Sequence, residues 1–252
     1  MSRDDLARYR ALVFDCYGTL IDWEGGIWAA AQPLLLANRR TDISRSALLQ
    51  AFSRAESDAQ AETPDCPYPG ILERAHREIA AALGLETSGP LDRAFGASVP
   101  DWPAFEDSAT ALRLLATRYH LFVLSNVDRA GFAGSAARLG VTFDGVMTAE
   151  DVGSYKPDLR GFHAILEWLE RDFGLAPGDI LHTAQSQFHD LVPAARLGLA
   201  TAWIDRQRLS EGGDWGATAV VAEQHRPDFL FFSLAEMATA VRSVPERRAA
   251  PA

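Results

Sequence analysis

Short apolar runs alternate with helix-like segments along much of the chain. Runs at residues 121–124, 180–181, 200–204 and 229–232 contain no charged side chain and predict strands that are buried on both faces. Between them apolar side chains recur at helical spacing, as at Phe162, Ile165, Leu166 and Leu169. Strands that alternate with helices pair in parallel through crossovers. The pattern therefore predicts a doubly wound α/β fold with a parallel, Rossmann-like sheet.

One apolar run, at residues 11–14, stands apart because the next comparable run begins only at residue 121. The intervening chain shows helical patterns at 28–36, 46–61 and 71–83, which Pro- and Gly-rich segments separate. We therefore predict a core domain of residues 1–22 and 99–241, with a helical cap of residues 23–98 inserted after the first strand. Residues 242–252 lack periodicity and are predicted to form a disordered tail.

Polar residues follow several of the predicted strands. Asp15 comes directly after the first, Ser125 and Asn126 after the next, and Lys156 and Asp190 follow later core segments. Ligands of open parallel sheets bind beyond the carboxyl ends of the strands. Each residue alone is typical of ordinary turn chemistry, but the set indicates a site at one sheet edge.

Composition narrows the class of protein. The chain has 252 residues, 48% of them hydrophobic, and a net charge of −10, which argues against nucleic acid as a partner. Its two cysteines, Cys16 and Cys66, are too few for a disulfide scaffold or a Cys-rich zinc site. Charged residues interrupt the first twenty positions, and no apolar run suits a signal peptide or a membrane helix. We expect a soluble, cytoplasmic protein with no membrane partner.

Four segments resemble the motifs of the haloacid dehalogenase superfamily: residues 15–19 (Asp-Cys-Tyr-Gly-Thr), Ser125-Asn126, Lys156-Pro157 and the segment that ends in Asp190. The resemblance covers about residues 10–240, and the helical insertion is similar to that superfamily's first cap type. Asp-Cys-Tyr-Gly-Thr-Leu is most similar to the type II 2-haloacid dehalogenases. The resemblance implies a hydrolase that converts small 2-haloalkanoic acids to 2-hydroxy acids without a cofactor. It also implies a homodimer, since relatives are often dimeric.

The resemblance further implies that Asp15 is a nucleophile that forms an ester with the substrate. Lys156 is expected to balance the charge of Asp15, and Thr19 to hydrogen-bond it. Asp190 is expected to orient Lys156 or to activate the water that hydrolyses the ester.

The substrate carboxylate is expected to bind near the same edge. Ser125, Asn126 and Ser186 are the predicted side-chain partners, together with backbone N–H groups of the loop that begins at Cys16 and Tyr17. The Cys16 side chain itself is expected to fill apolar space.

The position two residues after Asp15 separates two reactions. Phosphatases of the superfamily carry there an acid that protonates the leaving alkoxide, a contribution of roughly 10²–10⁴-fold in rate. This chain has Tyr17, whose phenol ionises only at a pKa of ~10. A halide leaves unprotonated, so Tyr17 favours cleavage of a carbon–halogen bond.

The fourth segment indicates the absence of a bound metal. The phosphatase motif there is Gly-Asp-x-x-x-Asp, whereas this chain has Gln185 and Ser186 before Asp190. Only Asp15 and Asp190 remain as obvious ligands, and Mg²⁺ sites collect carboxylates. His182 and His189 flank this segment and are expected to be structural.

Type II dehalogenases receive the halide on an arginine of the cap. Counting back from Tyr68 puts Glu62 at that position, and Arg54 is the candidate if this register is wrong. Two other functions stay open. The first is a hydrolase of the same superfamily that acts on another small substrate, for example as a Mg²⁺-dependent phosphatase. The second is a binding protein that keeps the fold.

Overall fold

The structure, a computed structural model, describes residues 3–222 and 224–243. Strands in these residues form one parallel sheet in the order β3-β2-β1-β4-β5-β6. Their bounds are β1 Ala11–Phe14, β2 His120–Ser125, β3 Gly145–Thr148, β4 Ile180–Ala184, β5 Ala200–Ile204 and β6 Phe229–Phe231. The predicted doubly wound parallel sheet is confirmed. The sequence pattern missed β3, a short edge strand that is only partly buried.

Of the six helices between β1 and β2, five lie in the segment that the pattern predicts as a cap. They are α1 Trp23–Ala30, α2 Gln32–Ala37, α3 Arg45–Glu62, α4 Tyr68–Ala82 and α5 Gly89–Gly96. The later helices alternate with the strands: α6 Ser108–Ala116, α7 Arg129–Leu139, α8 Ala149–Val152, α9 Arg160–Phe173, α10 Val192–Arg196 and α11 Leu234–Ala240. The division into a core and a cap domain stays a prediction.

Helices cover both faces of the sheet. Leu12 and Phe14 of β1 belong to a large apolar cluster with α6, α11 and the helices between β1 and β2. Ala11 and Val13 point to the other face and pack with α9 and α10. Because both faces are buried, β1 is apolar at every position rather than at alternate ones.

Two helices differ from the predicted pattern. The single helix predicted at 28–36 is split into α1 and α2, since Pro33 in the first turn of α2 has no N–H to continue the hydrogen bonding of α1. Helix α10 follows a π-helical turn, Gln187–Leu191, which the pattern did not predict. π-Helical turns are frequent at functional sites.

The predicted disordered tail, 242–252, falls mostly outside the described residues. Arg242 and Ser243 belong to a 3-10 turn, Val241–Ser243, and residues 244–252 are not described. In the part of the chain that the structure describes, no helix is both long and apolar enough to span a membrane.

The winding of the sheet reverses next to β1. The chain runs outward through β2 and β3 on one side and through β4, β5 and β6 on the other. Phe14, the last residue of β1, pairs with Val123 of β2 and with Thr183 of β4. The residues that follow these three strands therefore start at the same level. Connections that diverge at such a switch point leave a crevice at the carboxyl ends of the strands.

Candidate active site

A cavity that is partly open to solvent lies beyond the carboxyl ends of β1, β2 and β4. Strand ends and core loops form one wall, and α3 and α4 form the other. The polar side chains of the first wall are Asp15, Tyr17, Asn126, Lys156, Gln185, Ser186, His189, Asp190 and Thr218, and those of the second are Ser53, Glu56, Ser57, Gln60 and Tyr68.

Asp15 is held by the turn that follows β1. Gly18 adopts φ +97°, which a residue with a side chain rarely adopts, and a Cβ there would lie 2.9 Å from Gln185 Oε1. This conformation brings Thr19 back toward Asp15, so that Thr19 Oγ1 donates to Asp15 Oδ2 at 2.7 Å. Thr19 Oγ1 also accepts the Gln185 backbone N–H at 2.9 Å. The hydroxyl therefore ties the β1 turn to the end of β4.

Lys156 lies between two buried carboxylates. Its Nζ donates to Asp15 Oδ1 at 2.8 Å, to Asp190 Oδ1 at 2.7 Å and to the Leu124 carbonyl at 3.0 Å. An ammonium has three donors, and all three are used. Asn126 fixes the backbone of the lysine, since its Oδ1 accepts Lys156 N–H at 2.7 Å and its Nδ2 donates to the Lys156 carbonyl at 3.0 Å.

Asp190 comes from the π-helical turn after β4. Besides Lys156, its Oδ1 is bonded by His182 Nε2 at 3.1 Å. Within residues 3–222 and 224–243, its Oδ2 has no hydrogen-bond partner. That oxygen is buried, and it is the oxygen of the two carboxylates that accepts no hydrogen bond from a described residue.

The three charges shift one another's ionisation. Burial raises the pKa of Asp15 above its ordinary value, against the opposing effects of Lys156 and Thr19. For Asp190 burial acts in the same direction, but Lys156 and His182 outweigh it and lower the pKa. Although burial opposes it, the two carboxylates raise the pKa of Lys156, which therefore stays charged.

Tyr17 lines the cavity but is not poised as an acid. Its hydroxyl shares a hydrogen bond of 2.8 Å with Ser135 Oγ, and burial raises the pKa of the phenol well above its usual range. The Cys16 side chain is fully buried in the large apolar cluster, as expected. In the predicted anion-binding loop, the Gly18 N–H is already donated to the Ile21 carbonyl at 2.8 Å.

The predicted carboxylate-binding side chains are placed differently from one another. Asn126 and Ser186 line the cavity, and Ser186 Oγ lies 3.2 Å from His189 Nδ1. Ser125 does not line it: its side chain is 1% exposed, and its Oγ has no partner among the described residues. A direct contact between Ser125 and a substrate thus lacks support from this arrangement.

Neither expected candidate for the halide site faces the cavity. Arg54 is exposed and donates to the Gln50 carbonyl at 3.2 Å, while Glu62 accepts from Arg74 on the outer surface at 2.5 Å. The residue of α3 that does face it is Glu56. Counted over residues 3–222 and 224–243, no arginine lines the cavity.

Sequence reasoning missed the polar stripe of α3. Ser53, Glu56, Ser57 and Gln60 recur at i, i+3, i+4 and i+7, the spacing of one helix face. The apolar residues of the same helix, Leu48, Leu49, Phe52, Ala55 and Ala59, are buried. This periodicity was the available signal that a polar face of the helix meets something other than the core.

The donor set does not suit a divalent cation. The two carboxylates that face each other, Asp15 and Asp190, already share the Lys156 ammonium. Nε2 of the Gln185 amide donates to Gln207 Oε1 at 2.8 Å. No group of three or more His, Cys, Asp or Glu side chains with a metal-binding arrangement occurs in the described chain.

Comparison with known proteins identifies the relatives. Residues 9–182 match the sequence profile of the haloacid dehalogenase-like hydrolases. The (S)-2-haloacid dehalogenase 4A of Burkholderia cepacia is 26% identical over 206 residues, which span 79% of this chain and 84% of that protein.

Solved structures share the fold. The L-2-haloacid dehalogenase of Xanthobacter autotrophicus superposes with a TM-score of 0.74 at 20% identity, over 94% of this chain and 100% of that one. A magnesium-bound HAD-family hydrolase of Bacillus subtilis gives a TM-score of 0.72 at 17% identity, over 93% and 99%. At these identities the likeness concerns the fold, and it does not distinguish a metal-free from a metal-dependent reaction.

Proposed function

The chain belongs to the haloacid dehalogenase-like hydrolases, a hydrolase family, and on that premise we propose that it hydrolyses small 2-haloalkanoic acids to 2-hydroxy acids through an ester on Asp15. The relative from Burkholderia cepacia supports this reaction by its activity. The site supports it by its chemistry, because a buried carboxylate beside one ammonium is suited to attack on carbon.

The observation that carries the proposal is the environment of Tyr17. Its hydroxyl is engaged with Ser135 and its pKa is raised, so it supplies no proton to a leaving group beside Asp15. Asp190, the other nearby carboxyl, has a lowered pKa and remains ionised. Neither Tyr17 nor Asp190 therefore supplies a proton to an alkoxide, whereas a halide leaves without one.

In the first step an Asp15 oxygen attacks C2, the carbon–halogen bond breaks, and the halide leaves with its electron pair. Lys156 keeps Asp15 ionised and in place at 2.8 Å. Asn126 and Ser186, which line the cavity, are the polar groups available to the substrate carboxylate.

In the second step water attacks the carbonyl carbon of the ester, and the 2-hydroxy acid leaves with the former Asp15 oxygen. The unpartnered Oδ2 of Asp190 accepts the proton of that water. His182, at 3.1 Å from Asp190 Oδ1, holds the carboxylate in this orientation. Loss of that proton to solvent restores the starting state, with one halide and one proton released per turnover.

Release of chloride from 2-chloropropionate tests the proposal. We expect equal rates with EDTA and with added Mg²⁺, and no release by Asp15→Asn at an unchanged melting temperature. Activity that requires Mg²⁺ and acts on a phosphate monoester would establish the phosphatase alternative instead. Absence of turnover in both the unaltered protein and Asp15→Asn would favour a binding protein that keeps the fold.

A further inference from the structure

The wall of the cavity opposite the sheet is polar but carries no cation. α3 contributes Ser53, Glu56, Ser57 and Gln60, and α4 contributes Tyr68. Lys156, on the other wall, is the one lysine or arginine that lines the cavity in the described chain. It is already shared between Asp15 and Asp190.

The geometry of displacement directs the leaving group to this wall. In a displacement at carbon, the bond that breaks lies opposite the bond that forms. Asp15 attacks from the end of β1, so the halogen departs away from the sheet, toward α3 and α4. What those helices present therefore decides how the departing group is stabilised.

Glu56 has one carboxyl oxygen engaged and one free. Oε1 accepts the Tyr68 hydroxyl at 2.6 Å and Gln60 Nε2 at 3.3 Å. Among residues 3–222 and 224–243 the hydrogen bonds to the Glu56 carboxyl both go to Oε1 and none goes to Oε2, and Glu56 lines the cavity. In the neutral acid the hydrogen therefore sits on Oε2, because Oε1 is occupied by two donors. Burial raises the pKa of Glu56 to about 7, although the hydrogen bond from Tyr68 opposes this shift.

The titratable groups around Glu56 supply no further positive charge to it. Tyr68 of α4 and Tyr155 remain neutral phenols, since burial raises the pKa of both. Across the cavity, burial lowers the pKa of His189 to about 4, so its imidazole is uncharged at neutral pH. Two carboxylates, Asp15 and Asp190, face the single ammonium of Lys156. An ionised Glu56 would add a negative charge in front of a departing anion.

We infer that Glu56, as a neutral carboxylic acid, donates its Oε2 hydrogen to the departing halogen, so that the leaving-group site is a hydrogen-bond donor rather than a cation. This inference rests on the proposed dehalogenase function. As the carbon–halogen bond breaks, its electron pair goes to the halide, which accepts the hydrogen bond from Glu56. The proton stays on Glu56 when the halide is weakly basic.

This arrangement defines a substrate class. Fluoride is the strongest hydrogen-bond acceptor among the halides, so a neutral donor assists its departure more than that of bromide. We therefore expect 2-fluoroalkanoates to depend on Glu56 more strongly than 2-bromoalkanoates do.

The pH profile of halide release tests the inference. For the unaltered protein we expect kcat/KM on 2-chloropropionate to fall about tenfold per pH unit above a pH of about 7, as Glu56 ionises. Glu56→Gln keeps an N–H donor that does not ionise, so this descending limb should disappear. Glu62→Gln is the matched control: it makes the same change on the same helix, but on the outer surface beside Arg74. It should leave the limb unchanged.

Two further variants keep the test independent of one substitution. Tyr68→Phe removes the hydrogen bond that favours ionised Glu56, so the limb should move to higher pH. Glu56→Ala removes the donor, and at pH 6 its loss of roughly 10²-fold should be larger for 2-fluoropropionate than for 2-bromopropionate. A limb that persists in Glu56→Gln, or equal losses for the two halides, would overturn the role of Glu56 while leaving the dehalogenase function intact. No halide release from the unaltered protein at any pH would overturn both.

Discussion

Lys156 and the two carboxylates beside it form a buried ion triad. The lysine is 4% exposed, and each of its donors has an acceptor. Removing one member of such a group leaves an uncompensated buried charge, which costs roughly 3–5 kcal/mol. Burying these three charges does not by itself stabilise the fold, so we attribute the triad to the chemistry of Asp15 rather than to stability.

We expect Lys156→Met to abolish turnover and to lower the free energy of unfolding by roughly 3–5 kcal/mol. Arg74→Met is the comparison, since Arg74 also lies between two carboxylates, Glu62 and Glu78, but at the surface. Solvent screens exposed ion pairs, so this variant should change the free energy of unfolding very little. Urea unfolding of both variants measures the difference, and equal losses would contradict the buried triad.

Glu56 should make stability depend on pH. Its pKa of about 7 in the folded protein lies above its ordinary value of 4.5. Between these values the folded state binds more protons than the unfolded state, so the free energy of unfolding decreases as pH rises through this window. Glu56→Gln removes that loss. We expect it to be more stable relative to the unaltered protein at pH 8 than at pH 4.5, by about 1–3 kcal/mol once partial exposure is allowed for.

Thermal or urea unfolding at the two pH values measures this difference without any substrate. The control, Glu62→Gln, should show no such change between them. A stability difference for Glu56→Gln that is the same at both pH values would show that Glu56 titrates normally.

The catalytic candidates could be placed at the site from the sequence, whereas Glu56 could not. Asp15, Lys156 and Asp190 follow buried strands, and parallel strands bring their carboxyl ends together, so position alone predicts their meeting. Glu56 lies within a helix, where its direction depends on how that helix packs. The register counted from Tyr68 pointed to Glu62, but only the side of α3 that packs on the rest of the protein decides which acid faces the cavity.

The turn after β1 and the end of β4 are joined through one hydroxyl. Thr19 Oγ1 donates to Asp15 Oδ2 and accepts the Gln185 N–H. Thr19→Val keeps the shape but removes both bonds and leaves a buried N–H unpaired, which costs roughly 1–3 kcal/mol. It also removes a donor that lowers the pKa of Asp15, so the ascending, acid limb of the activity profile should move to higher pH.

Thr19→Ser retains the hydroxyl and serves as the control for both effects. Differential unfolding and a pH profile of kcat/KM measure them separately. A profile that is unchanged in Thr19→Val would mean that this hydroxyl supports the turn without tuning the nucleophile.

Strands buried on both faces were the most predictable parts of the fold. β1, β2, β4 and β5 contain the predicted apolar runs. β6 covers residues 229–231 of the run at 229–232, and its Leu230 is exposed at the edge of the sheet, so the prediction of burial on both faces was wrong for this strand. β3 was missed because an edge strand with partly buried residues lacks a continuous apolar run. The split between α1 and α2 follows from Pro33, which lies in the first turn of α2. It has no N–H to donate to the preceding turn, so α1 does not continue through it.

The fold as a whole places the site but does not choose its reaction. The dehalogenase of Xanthobacter autotrophicus and the magnesium-bound hydrolase of Bacillus subtilis have TM-scores of 0.74 and 0.72 with the same chain. In this chain Lys156 pairs with both Asp15 and Asp190, the two carboxylates that would otherwise be available to a cation.

A ligand that binds only the folded state raises its stability, by about 2.7 kcal/mol at a hundred times its Kd. We therefore expect the melting temperature to be the same in EDTA and in excess Mg²⁺. A clear rise with Mg²⁺ that Asp15→Asn or Asp190→Asn removes would show that these carboxylates bind the cation after all.

If the ester forms, the hydroxyl oxygen of the first 2-hydroxy acid is a former carboxylate oxygen of Asp15. One labelling experiment tests this origin. A single turnover of excess enzyme with 2-chloropropionate in heavy-oxygen water should place the label in the peptide that contains Asp15, and leave the first 2-hydroxypropionate unlabelled. Mass spectrometry of the digested protein and of the product reads both. Label in the first product, with none on Asp15, would mean that water attacks C2 directly and would contradict the ester.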